Sequence, residues 1–264
     1  MVTKADPVRA GMVAESIADY RRQTYPEREL VIVTESESAS DIEALRDTVR
    51  RFDRGDIRLV RIAPGQTLGA MRMASIAAAR GDVICQWDDD DRSHPERLSR
   101  QWGRLRETGA EAVLLRDVVH YFPGHDRLYV TSWRATPASG HPGTLMARID
   151  APLSYPTIGE TASRGEDLAV VLALNERGTL AVLADAPHLF VYVSHGRNTW
   201  ADDHHAMLAD RLAISRGLLG RREAALRAGL APFDWQGRPV QVCGNNGLAF
   251  VITPAPAVGT TAGR

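Results

Sequence analysis

A chain of 264 residues, 44% hydrophobic and 25% charged, holds enough apolar material for one large core. Its net charge of -1 argues against a nucleic-acid binder, and no apolar run approaches the ~20 residues of a membrane span. Two cysteines, Cys85 and Cys243, imply no disulfide framework and fit a reducing cytoplasm; no signal-peptide pattern or internal repeat is visible.

Residues 1–6 are too short for a comfortable first strand. Met12, Val13, Ile17 and Tyr20 recur at helical spacing, which predicts a helix over residues 8–22, ended by Pro26. Residues 30–33 are a continuous apolar run, as in a parallel strand covered on both faces. Ile42, Leu45 and Val49 mark a second helix and residues 57–62 a strand. Leu68, Met71, Ser75 and Ala78 share a face of a third helix, stopped by Gly81, and Val83-Ile84-Cys85 is a buried strand. Ser93-His94-Pro95-Glu96 reads as a helix start with Ser93 as the cap, and Gly109 closes that helix.

The pattern then changes. Residues 112–115, 118–122, 128–133 and 144–147 are strand-like with few helices between them. Gly165-Glu166-Asp167 opens a helix over 168–174; residues 180–183 and 189–193 are strands. Helices over 202–219 and 222–228 and a hairpin of 240–242 with 250–253 complete the chain. The fold class is α/β: a Rossmann-like, mostly parallel sheet with a mixed second half and a C-terminal helical appendage. The expected division is 1–200 for the main domain, 201–253 for the extension and 254–264 for a disordered tail rich in Pro, Ala, Gly and Thr.

The chemistry is expected at Trp87-Asp88-Asp89-Asp90-Asp91, between a strand's carboxyl end and a helix, where open α/β sheets bind ligands. Adjacent carboxylates repel, and a hard cation such as Mg²⁺ or Mn²⁺ relieves that. On extended backbone Asp88 and Asp90 would face one way and Asp89 and Asp91 the other. The other reading is a solvated acidic turn.

Several separated segments then agree with one family. Gln23-Thr24-Tyr25-Pro26 with Glu29-Leu30-Val31-Ile32-Val33 resembles the "QTYPxxELIIVDD" segment of family-2 glycosyltransferases with the GT-A fold. Leu68-Gly69-Ala70-Met71-Arg72 and Ala79-Arg80-Gly81-Asp82-Val83-Ile84 resemble "GxxRNxGIxxAxGxYI". The Asp run through Pro95-Glu96-Arg97-Leu98 resembles "xDxDDxxxPxxL", the DxD segment. Gly165-Glu166-Asp167 resembles the "ED" segment, and residues 193–200, from Val193 to Trp200, the late segment whose His can reach the metal. The resemblance covers roughly residues 3–200.

There are departures. Residues 2–7 stand where the family, after a full first strand, has a "PTYNR"-like turn, so most of that strand is expected to be missing or to precede Met1, and the stub to fray. Thr34-Glu35-Ser36 replaces the usual Asp-Asp-Gly, and Met73 a common Asn.

The resemblance implies an inverting, metal-dependent glycosyltransferase of the hexosyltransferase type. It would move a sugar from a nucleoside diphosphate sugar, UDP-linked by preference, to an acceptor hydroxyl. It implies Asp90, Asp88 and His195 as ligands of Mn²⁺ or Mg²⁺, Asp167 as general base and Glu166 as its neighbour on the acceptor. Thr3, Glu35, Arg72, Asp88, Asp89 and Arg197 would meet the nucleotide sugar. Gly140-His141-Pro142-Gly143 reads as a loop where backbone approaches the donor. A monomer and an oligomer are both compatible with it. Two alternatives stand beside this reading: a sugar nucleotidyltransferase, whose Gly-rich basic loop after the first strand is lacking here, and a non-catalytic nucleotide-sugar-binding subunit.

Overall fold

A computed structural model describes residues 1–254, so the tail expected over 254–264 lies outside the described residues except for Pro254. The first part alternates as the sequence predicts: β1 (Val2–Thr3), α1 (Ala10–Arg21), β2 (Leu30–Thr34), α2 (Ala39–Arg50), β3 (Ile57–Arg61), α3 (Leu68–Ala78) and β4 (Val83–Cys85). Then come β5 (Arg92–Ser93), α4 (Arg97–Thr108), β6 (Ala112–Leu115), β7 (Asp117–Phe122), β8 (Arg127–Ser132), β9 (Met146–Arg148), α5 (Glu166–Glu176), β10 (Leu180–Leu183) and β11 (Phe190–Val193). The last elements are α6 (Asp202–Leu212), α7 (Arg216–Arg221), α8 (Glu223–Leu230), β12 (Val240–Gly244) and β13 (Gly247–Ile252).

The strands form three sheets. β1-β2-β3 is parallel, with Val2 opposite Val33 and Leu30 opposite Ile57. The order β10-β6-β9-β4 has β10 parallel to β6 and β9 antiparallel to both its neighbours. The third sheet runs β13-β12-β8-β7-β11-β5. β2 is buried at every residue, which explains its unbroken apolar run. Ile17, Ile32, Leu105 and Val113 share one core cluster. A second joins Val119, Leu128 and Val191 to Leu219, Leu226 and Val240, so the segment after residue 200 packs on the third sheet and its hairpin extends it through β8.

Three expectations change. The first segment is not a fraying stub: Met1, Val2 and Thr3 are buried and the Met1 nitrogen donates to the Val31 carbonyl at 2.7 Å. Ser93 is not a helix cap. It lies in β5, held extended opposite Phe190 of β11, and its Oγ accepts from Arg97 Nη1 at 3.0 Å; α4 starts only at Arg97. The helix expected over 202–219 breaks because the backbone at Ala213 and Ile214 bonds to β8 instead; Ile214 N donates to Val130 O at 2.9 Å, and Ser215 then caps α7.

A cavity of about 370 Å³ lies where β1 stops short, lined by Leu30, Val31, Val83, Ile84 and Trp87. The four carboxylates of the Asp run do not line it, but Arg72 and Gln86, which both bond to Asp88, do. Among the described residues, no helix is long and apolar enough to cross a membrane.

Candidate functional site

An isolated parallel bridge between Val2 and Asp88 brings the end of β1 against the Asp run that follows β4. The chain bends at Asp89 and Asp90, and burial alternates along the run, with Asp89 and Asp91 buried and Asp88 and Asp90 partly exposed. Asp88 Oδ1 accepts from Arg72 Nη1 at 2.9 Å and its Oδ2 from Gln86 Nε2 at 3.2 Å. Asp89 and Asp90 share Arg9, which donates to both Asp89 oxygens and to Asp90 Oδ2 at 2.7 Å. Asp90 Oδ2 also lies 3.1 Å from His195 Nε2, across 105 residues of sequence. Asp91 Oδ1 accepts from the Val193 N–H at 2.9 Å, tying the run to β11.

Asp89 and Asp91 are only 4% and 5% exposed, which rules out a solvated acidic turn. The environments separate three of the carboxyls, Asp89, Asp90 and Asp91. Burial, then the Asp90 charge, pushes Asp89 up, and burial pushes Asp91 well up. Burial acts against the ionised Asp90 too, but the His195 hydrogen bond and the Arg9 charge outweigh it and hold Asp90 below the usual carboxylate range. Of these three, Asp90 favours its charged form most, and a carboxylate with an imidazole beside it suits Mn²⁺ or Mg²⁺. Asp88 is committed to Arg72 and Gln86 and does not complete a close triad with Asp90 and His195. Among the described residues, the one group of three close donors is elsewhere, at His94, Glu96 and His188.

The second side of the site is the start of α5. Gly165 takes φ 76°, a left-handed turn that favours glycine, and delivers Glu166 and Asp167 into the first helical turn. Buried Glu166 accepts from Arg72 Nε at 2.8 Å, so Arg72 bridges α5 and the Asp run. With Nε and Nη1 engaged internally, Arg72 positions carboxylates. Asp167 Oδ1 accepts from the Leu168 N–H at 2.8 Å, a first-turn bond. Burial, then the charge of Glu166, pushes the half-buried Asp167 carboxyl up to about 6.

The remaining expected residues are more scattered. Buried Thr3 ends β1 and its side chain reaches Asp89. Glu35 follows β2 and accepts from the Gln66 N–H at 2.7 Å. Arg197 is exposed, and its backbone N–H donates to His195 Nδ1 at 3.3 Å. Gly140 is explained by packing rather than by a ligand, since a Cβ there would sit 2.6 Å from the Leu114 Cβ.

Sequence reasoning missed Arg9 and Gln86. A single Arg after a Pro turn and a lone Gln carry no local signal; only the fold brings Arg9 across 80 residues to Asp89. It also undervalued His141, which is buried near Asp88, its imidazole pushed down to about 3 by burial first.

The family model described as "Glycosyl transferase family 2" matches residues 8–152. No curated protein matches the chain. Among solved structures, S. aureus TarS 1-349 is similar with a TM-score of 0.55 at 14% identity, over 73% of this chain and 58% of that one. The same TarS fragment in complex with UDP-GlcNAc gives 0.56 at 13% identity, over 88% and 66%. The mannosyltransferase PcManGT from Pyrobaculum calidifontis, in complex with GDP-Man and Mn²⁺, gives 0.56 at 18%, over 88% and 61%. The chain thus spans less than two thirds of each of these solved chains, and at such identities the likeness shows a shared glycosyltransferase-type α/β fold.

Proposed function

The chain belongs to glycosyl transferase family 2, and on that premise we propose that it moves a sugar from a nucleoside diphosphate sugar to an acceptor hydroxyl, with inversion. The observation that carries the proposal is the 3.1 Å approach of His195 Nε2 to Asp90 Oδ2, with Asp91 bonded to Val193 beside it. That approach supports reading the Asp run as the DxD segment and His195 as the late His, residues far apart in the chain.

Asp90 and His195 would hold Mn²⁺ or Mg²⁺, with Asp88 at the edge of the site. When bound, the cation offsets the negative charge growing on the departing diphosphate. Arg9 balances the charge of Asp89 and Asp90. Thr3 and Glu35, at the ends of β1 and β2, would face the base and ribose, and the exposed Arg197 the diphosphate. Asp167 takes the proton from the acceptor hydroxyl as its oxygen bonds to the anomeric carbon and the bond to phosphate breaks on the opposite face. Glu166, fixed by Arg72, shapes the acceptor side. A UDP-sugar is the first donor to test; the UDP-GlcNAc complex of TarS supports it, and the GDP-Man complex of PcManGT makes guanosine the control. Transfer is assigned to residues 1–200, with 201–253 as the extension. Two free cysteines among the described residues support a reducing, cytoplasmic setting.

The test is release of nucleoside diphosphate from a panel of UDP- and GDP-sugars, with and without Mn²⁺, by the wild type and Asp90→Ala. Metal-dependent release lost in the variant is expected. Metal-independent release, or full release by Asp90→Ala, would overturn the assignment. Tight binding with no release would make the chain a non-catalytic subunit.

A further inference from the structure

We propose that His94, Glu96 and His188 form a second metal site, for a divalent transition ion of the Zn²⁺ class, that clips β5 to β11. One donor atom from each of the three residues lies within 4.8 Å of the others. Donors around a tetrahedral Zn²⁺ stand roughly 3.3 Å apart, given bonds of about 2.0–2.1 Å. The group therefore closes on an ion with side-chain shifts of about 1 Å, which the long, exposed Glu96 side chain absorbs most readily.

The surroundings fix the two rings. β5 and β11 are joined by only two residue pairs, Ser93 with Phe190 and Val191 with Arg92. The ladder continues once more, where His94 N donates to Leu189 O at 3.1 Å, which puts His94 and His188 at its open end. The imidazole centroids are 4.9 Å apart. His188 is held by α8, because Gly229 lets the ring approach so closely that a Cβ there would sit 2.6 Å from it. His94 is buried, and its Nδ1 lone pair points at the Glu96 turn, where it accepts the Glu96 N–H at 3.1 Å. Ser93-His94-Pro95-Glu96 is thus released from the capping role its sequence suggests and has a different use.

The site matters because of what it joins. β5 follows the Asp run directly, and β11 leads into His195. An ion here would fix the segments that carry Asp90 and His195 relative to each other, without touching either residue.

The experiment uses the full chain carrying Asp90→Ala, which disables the acidic site, freed of metal by chelator. Titration with ZnCl₂ by calorimetry is expected to show one equivalent bound, with a melting temperature raised by about 3 °C or more at saturation. Co²⁺ in its place should give the visible absorption of a four-coordinate nitrogen–oxygen site. Adding His188→Ala should abolish uptake. Adding Glu96→Gln, at an exposed position that leaves folding intact, should weaken it by more than about tenfold. Absence of saturable Zn²⁺ binding would overturn the proposal, as would binding unchanged by Glu96→Gln; the two rings would then be an aromatic contact only. Zinc bound by the wild type but not by Asp90→Ala would equally overturn it and place the ion at the acidic site.

Discussion

Arg72 is the buried strut of the candidate site, and replacing it by Leu separates two accounts of why it is there. Arg72 is 7% exposed, and its guanidinium lies 2.8 Å from Glu166 and 2.9 Å from Asp88. Leu keeps the packing but leaves Glu166, 3% exposed, without its cation. Removing one partner of a buried ion pair costs about 3–5 kcal/mol, mostly for the charge left behind. Asp88 is better hydrated and adds little to that. For a chain of this size the loss corresponds to a fall in melting temperature of about 6–20 °C. Urea unfolding of Arg72→Leu and of Arg72→Leu/Asp88→Asn/Glu166→Gln provides the assay. The amides remove the stranded charges, so the triple variant should recover half of the loss or more. A single variant within about 1 kcal/mol of wild type, or a triple no more stable than the single, would refute the strut.

Asp167→Asn should lower kcat by about 10²–10⁴ and leave UDP affinity unchanged, since the amide cannot take a proton. A base must be ionised, so wild-type kcat should fall as pH drops through about 6, and that limb should vanish in the variant; a flat wild-type profile would move the base elsewhere. Asp91→Asn should leave stability at pH 7 equal or higher, because burial pushes Asp91 well up and Asn still accepts the Val193 N–H. A raised carboxyl loses stability as pH rises above its unfolded value, so the gain should be larger at pH 8 than at pH 4; the opposite trend in chemical unfolding would contradict this. Gly69→Ala should cost about 1–3 kcal/mol by thermal melting, because its Cβ would fall 1.9 Å from the Pro156 carbonyl oxygen; an unchanged melting curve would show that the segment yields.

Periodicity made the first half of the fold legible, since β2 and α1 carry unbroken or 3.6-spaced apolar residues that burial explains directly. It failed where long-range pairing overrides local signals. Ser93 looks like a cap, yet β11 holds it in a strand; residues 213–214 look helical, yet β8 takes their backbone bonds. In the site, the acidic run and the Glu166-Asp167 pair stand out by composition, and His195, which lies 3.1 Å from Asp90, was singled out only through the resemblance. Which carboxylate meets which cation was not legible. Arg9 and Arg72 choose their partners through the bend at Asp89 and Asp90 and the packing of α3 on α5.

The most direct test of the account is UDP affinity measured against Mn²⁺ concentration for the wild type and His195→Ala. If Asp90 and His195 share the cation, wild-type affinity should rise with Mn²⁺, and the variant should need more metal for the same rise while binding UDP equally without metal. Superimposable curves would return His195 to an ordinary strand-end histidine and contradict the assignment of this site.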